Sequence, residues 1–170
     1  MLKKYLKWLS EDNETESVGG FAIDSFPNKA NKKPLPVVYP ENIVGENYNP
    51  DVERIMIDFD RTIHKYSEGW KDGSIYDEPF DGVKEVIKIL RENGYEIVIF
   101  TCRLSETANG KENVEKQKIL IKDWLKKYEI EVDGMTAEKL PALAYIDDSA
   151  LYFDGQWNKE FVNQIKNRIT

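Results

Sequence analysis

Apolar and polar positions fall into two regimes along the chain, and the change comes near residue 53. Beyond it, short apolar runs alternate with segments whose apolar residues recur every three or four positions. Arg54 to Asp58 holds Ile55, Met56 and Ile57 in succession and predicts a buried strand. Residues 82–93 put Val83, Val86, Ile87 and Leu90 on one helical face, with Asp81 placed to cap the helix and Gly94 to stop it. The β-branched run EIVIF, 96–100, predicts a second strand. Residues 112–128 predict a second helix with Val114, Ile121, Leu125 and Tyr128 on one face. LAYID, 143–147, predicts another strand, LYF, 151–153, a further short one, and residues 157–168 a closing helix. Strands alternating with helices predict parallel pairing and a three-layer α/β/α sandwich around a mostly parallel sheet.

Residues 1–50 follow a different pattern. Leu2, Tyr5, Leu6, Trp8 and Leu9 recur at helical spacing and predict a short amphipathic helix. Such a helix packs on its own domain or on a second copy, or lies on a membrane surface. SEDNETESVGG reads as a flexible link, and the following stretch to Asp51 carries five prolines, which excludes a regular helix or a central strand. The expected organisation is therefore an N-terminal helix and extended arm over 1–50, able to support an oligomer, and one α/β domain over 51–170.

Charge and composition narrow the function classes. A net charge of −7 argues against a non-specific nucleic-acid binder, which needs a basic stripe to displace counterions. The single cysteine, Cys102, allows no internal disulfide and fits a reducing compartment. The apolar positions of MLKKYLKWLSEDNE are interrupted by Lys7, Glu11 and Asp12, unlike a signal peptide, and no apolar run reaches membrane-spanning length. A cytoplasmic, soluble chain with no membrane partner is expected.

In parallel α/β sheets ligands sit beyond the carboxyl ends of the strands. The first strand ends in Asp58 and Asp60, the second in Thr101, Cys102 and Arg103, and the last in Asp147, Asp148 and Ser149; Lys139 precedes that last strand. Carboxylates crowded at one edge repel each other unless a cation joins them. Mg²⁺ suits this set, because it takes oxygen ligands and commonly one or two carboxylates with a substrate phosphate. With only His64 and Cys102 available, no zinc cluster can form. Lys139 offers a point charge to a phosphate, and Thr101 a hydroxyl. Each feature alone has a plainer reading, as a turn, a helix cap or a solvated lysine. As a set they read as phosphoryl chemistry with an aspartate nucleophile.

The order Asp-x-Asp-x-Thr, strand-end Thr, Lys, Asp-Asp resembles the haloacid dehalogenase-like hydrolase superfamily. IMIDFDRTI resembles its first motif, VIFT its second, Lys139 its third and YIDDSA its fourth. The longer stretches IDFDRTIHKYSEGW and TAEKLPALAYIDDSALYFDGQW resemble a subgroup of small, capless members from bacteria and phages. The resemblance covers the chain from about residue 53 onward and implies a Rossmann-like domain and a Mg²⁺-dependent phosphatase. It implies Asp58 as the nucleophile, Asp60 as proton donor and then base, Thr101 on the transferring phosphoryl group, and Lys139 on nucleophile and phosphate. Asp148, with Asp147 beside it, Asp58 and the backbone carbonyl of Asp60 would hold the metal. A receiver domain uses similar residues but places its acidic pair first and its lysine last.

The first motif usually has glycine where this chain has Arg61. Arg61 and Arg103 either bind a second anionic group of the substrate or point to solvent. The gaps between Asp60 and Thr101 and between Thr101 and Lys139 are filled by the two predicted helices, which leaves no room for a cap domain. Residues 64–79 are expected to form a flap in which His64, Tyr66 and Trp70 either stack on a base or form the aromatic cluster of a small hairpin. Trp157 is expected in the core or against the arm. The substrate expected is a phosphomonoester, a nucleotide or a nucleic-acid end. The alternative is a non-catalytic interaction protein that works through residues 1–50.

Overall fold

The structure, a computed structural model, describes residues 51–169. The helix, link and arm expected over 1–50, and any oligomer contact through them, lie outside the described residues. Four parallel strands, β1 (Arg54–Ile57), β2 (Glu96–Phe100), β3 (Gly134–Thr136) and β4 (Ala144–Ile146), form one sheet in the order β3-β2-β1-β4. Between them run the helices α1 (Val83–Glu92), α2 (Glu106–Asn109, one turn) and α3 (Lys111–Lys127), and α4 (Lys159–Ile169) follows β4. The class is α/β, as the alternating pattern predicts.

Topology follows from the hand of the crossovers. The β1-to-β2 and β2-to-β3 connections step in the same direction across the sheet, so right-handed crossovers bring α1 and α3 to the same face. On that face Ile55, Ile57, Ile97 and Ile99 pack against Ile87 and Leu90 of α1 and Ile121, Trp124 and Leu125 of α3. The chain then reverses, and β4 pairs on the far side of β1. The connection into β4 lies on the opposite face, where Leu140, Ala142 and Tyr145 pack on Met56 and Val98. Arg54 Nη1 donates to the carbonyl of Pro141 at 3.2 Å and ties that connection to β1. Asp133 anchors the start of β3: it takes Arg91 Nη2 at 2.7 Å and the amide of Ile97 at 2.8 Å, joining α1, β2 and β3. Among the described residues α1 and α3 form one helical layer, while α4 buries none of its side chains.

Several expectations are corrected. Residues 151–153 are not a strand, and Leu151, Tyr152 and Phe153 are exposed. Asp81 does not cap α1: Gly82 occupies the cap position at φ 81°, a left-handed conformation that glycine adopts without strain, and the Asp81 side chain is exposed. Trp157 is 81 % exposed, with Phe153 and Phe161 as ring neighbours, rather than in the core. Gly94 does end α1, at φ 83° with its amide on the Arg91 carbonyl.

Core and surface of α3 are expected to respond differently to truncation. Ile121→Ala, at a fully buried position, is expected to cost about 2–5 kcal/mol in denaturant unfolding. Ile119→Ala, at a position 61 % exposed on the same helix, is expected to stay within about 0.5 kcal/mol of the parent.

Candidate active site

The sheet reverses its direction of growth at β1, so the crevice of a parallel sheet falls between the carboxyl ends of β1 and β4. Both ends carry acids. The amide of Asp58 donates to the carbonyl of Ile146 at 2.8 Å and extends the β1–β4 pairing by one residue. Asp147 and Asp148 follow Ile146 directly, and the amide of Asp148 donates to Thr62 Oγ1 at 3.1 Å, which stitches the two strand ends together. Asp147 Oδ1 accepts from the amide of Ser149 at 2.7 Å, and Asp148 Oδ1 from its hydroxyl at 3.1 Å.

Burial dominates the electrostatics of Asp58. Loss of water pushes its carboxyl up from the ordinary 3.8 to about 7. A hydrogen bond from the amide of Phe59 opposes this, and the nearby charges of Asp147, Asp60 and Asp148 add to it. The carboxylate that sequence reasoning singles out as nucleophile is thus short of positive partners.

Asp60 has the opposite surroundings. Arg103, only 1 % exposed, clasps it bidentately, Nε to Oδ2 at 2.7 Å and Nη2 to Oδ1 at 2.9 Å. His64 Nδ1 lies 3.0 Å from Oδ1. Burial raises the Asp60 carboxyl, but the hydrogen bonds from His64 and Arg103 outweigh it and hold the group below its ordinary value. The imidazole tautomer follows from its second contact: the amide of Asp77 donates to Nε2 at 3.2 Å, so Nδ1 carries the proton given to Asp60. The remaining Arg103 nitrogen, Nη1, donates to the carbonyl of Gly73 at 3.0 Å and to Gln117 Oε1 at 2.9 Å. Gly73 is held at φ 88° against Gln117, whose Nε2 would lie 2.5 Å from any Cβ there.

The structure thereby decides between readings that the sequence leaves open. Arg103 neither points to solvent nor presents a free fork to a ligand; each of its three guanidinium nitrogens already has an acceptor inside the protein. His64 is fully buried, stacked on Phe59 at 5.4 Å, and is not a platform for a base. The 64–79 segment forms no hairpin strands, although its aromatic cluster exists, with Tyr66 and Tyr76 stacked at 6.2 Å. Thr101 stands at the end of β2, buried, with Oγ1 accepting the amide of Arg103 at 3.3 Å. Lys139 is exposed, its Nζ 5.4 Å from the ring centre of Tyr145, and forms no ion pair among the described residues. Arg61 is exposed, with φ 61° and Nη1 3.9 Å from Asp148 Oδ2.

Gln117, Asp77 and Arg168 were not foreseen from sequence. Gln117 does sit on the inner face of the predicted helix as a lone polar residue among Val114, Ile121 and Leu125, a signal of a buried hydrogen-bond partner. A cleft of about 530 Å³ opens beyond β2 and β3, lined by Leu104, Thr107, Lys118, Thr136 and Glu138 among others; none of Asp58, Asp60, Asp147 and Asp148 lines it. No protein-family model, no curated protein and no solved structure matches this chain.

The two aspartates give opposite pH signatures. The folded Asp58 keeps its proton to about 7 whereas the unfolded one releases it near 3.8, so this group's contribution to stability falls as pH rises through that window. Asp60 is depressed: its contribution is present above its unfolded value and is lost as pH falls through its folded one. Asp58→Asn is expected to remove the first effect and flatten the decline of melting temperature toward neutral pH. Arg103→Met leaves the Asp60 carboxylate and Gln117 Oε1 short of donors and is expected to cost about 3–5 kcal/mol in denaturant unfolding.

Proposed function

We propose that this chain is a capless Mg²⁺-dependent phosphomonoester hydrolase that works through an aspartyl-phosphate at Asp58. The observation that carries the reading is the placement of Asp58: a carboxyl raised to about 7 at the crevice where the sheet reverses, with Asp147 and Asp148 on the adjoining strand end. The order of Asp58, Asp60, Thr101, Lys139 and Asp148 along the chain supports it.

The residues present fit a hard cation. The mutually repelling charges of Asp58, Asp147 and Asp148 are those a divalent ion relieves, and all their donors are oxygen. Among the described residues no three acidic, histidine or cysteine groups close on one point. Mg²⁺ does not require that, since one or two carboxylates with water and substrate oxygens fill its shell. Asp58, the backbone carbonyl of Asp60, Asp148 and, directly or through water, Asp147 would hold it. Bound there, the ion neutralises charge on the transferring phosphoryl group.

Asp58 Oδ attacks phosphorus in line; its bond to phosphorus forms as the bond to the leaving oxygen breaks. Asp60 gives a proton to that oxygen, then takes one from the water that attacks the aspartyl-phosphate. Phosphate leaves and Asp58 is restored. The three donors on Asp60 favour its ionised form, which suits the second step and opposes the first. Leaving oxygens that need little help from a proton are therefore favoured. Thr101 Oγ1 accepts the Arg103 amide and still has its own proton to give a phosphoryl oxygen, and Lys139 contributes its charge by swinging from Tyr145 toward Asp58.

Phosphate release is expected from a panel of phosphomonoesters, nucleotides and phosphorylated oligonucleotides in Mg²⁺, with loss in EDTA. Asp58→Asn is expected to reduce turnover by roughly three orders of magnitude or more. No Mg²⁺-dependent release from any member, or full activity in Asp58→Asn, would remove the proposal.

A further inference from the structure

Two arginines converge on one carboxylate oxygen at the rim of the crevice. Arg61 Nη1, from the turn after β1, and Arg168 Nη2, from the last turn of α4, each lie 3.9 Å from Asp148 Oδ2. That distance is an ion pair and not a hydrogen bond. One carboxylate therefore attracts two guanidinium groups and satisfies the donors of neither. Both side chains are open to water, 60 % and 42 % exposed, and neither forms another ion pair among the described residues. The contrast with Arg103 is sharp: there every nitrogen has a protein acceptor at 3.0 Å or less.

The backbone fixes where Arg61 projects. Its amide donates to the carbonyl of His64 at 2.8 Å, while the amides of Ile63 and His64 both donate to the carbonyl of Phe59. This tight turn holds Arg61 at φ 61°, a conformation in which a long side chain is disfavoured and glycine is not. The same turn supplies Thr62 Oγ1 to the amide of Asp148, so Arg61 and Asp148 are positioned by one structure. The Tyr66 ring lies 5.7 Å from the Arg61 guanidinium and limits its sweep on the flap side. Arg168 comes from a separate element, at the end of an 11-residue helix.

We infer that Arg61 and Arg168 form a subsite for a second phosphate, so that the substrate is a phosphomonoester carrying another phosphate group beside the one removed. The inference rests on the proposed phosphatase reading, whose crevice it borders. Two planar forks with unspent donors match the oxygens of a phosphate, and an anion between them relieves the repulsion that one shared carboxylate leaves. The second phosphate is either a terminal monoester or an internal phosphodiester, since both present two oxygens to the pair.

The test compares binding of three probes by titration calorimetry with the full chain in Mg²⁺: a nucleoside 5′-monophosphate, the matching 3′,5′-bisphosphate, and a 5′-phosphorylated dinucleotide. Hydrolysis is followed in parallel. At least one probe with a second phosphate is expected to bind about tenfold or more tightly than the monophosphate. Which of the two does so identifies the source of the second phosphate. Arg61→Gly, which the backbone accepts, and Arg168→Gln are each expected to lower that preference severalfold, and the double variant to abolish it. Lys159→Gln, at the other end of α4, controls for net charge and is expected to preserve it. Equal binding of all three probes, or a preference unchanged in the double variant, overturns the subsite. Discrimination without hydrolysis sustains the subsite and removes the phosphatase reading; hydrolysis without discrimination does the reverse.

Discussion

A single buried guanidinium ties together the parts of the domain that surround the crevice. Arg103 joins Asp60 after β1, the carbonyl of Gly73 in the following loop and Gln117 on α3. Desolvating an arginine costs several kcal/mol, about what a bidentate carboxylate and two further acceptors are needed to offset. Phe59, Tyr66 and Trp70 surround the guanidinium with rings at 5.0–5.7 Å, which add attraction without competing for its protons. The fold of residues 60–77 therefore depends on this contact, because that stretch has no regular strand or helix of its own.

The same contact separates two neighbouring aspartates. Asp60 is surrounded by donors, whereas Asp58, two residues earlier, has mainly burial and other acids around it. One carboxyl is held ionised and the other is driven toward its protonated form. Environments that push paired carboxyls apart are a physical mark of acid–base and nucleophilic division of labour. In the proposed chemistry the division is between Asp58, the nucleophile, and Asp60, whose donors favour the base role of the second step.

The parts of the fold legible in sequence are those fixed by local pattern. The strand 96–100 is observed with the expected bounds because its central residues are buried on both faces and so apolar throughout. β3 was not read: three residues, Gly134, Met135 and Thr136, carry no pattern, and their strand character comes from pairing with β2. LYF has strand composition, but strand formation needs a neighbour that composition does not report. At the site, the acids at strand ends were legible because a parallel sheet puts its crevice there. The partners were not: Arg103 meets Gln117 fourteen residues on and Asp60 forty-three residues back. Arg168 meets Asp148 only through the path of the chain after β4. Sequence spacing shows which groups are available, and packing decides whether Arg103 serves a ligand or the protein.

The central claim is that Asp58 becomes phosphorylated. The direct measurement is to expose the full chain in Mg²⁺ to a reactive phosphoryl donor such as acetyl phosphate, quench, reduce with borohydride, and locate the product by peptide mass spectrometry. An acyl phosphate at this position is reduced to an alcohol, so homoserine at position 58 is the expected result. An unmodified Asp58 in a protein that releases phosphate from the same donor, or label confined to another carboxylate, would contradict the account.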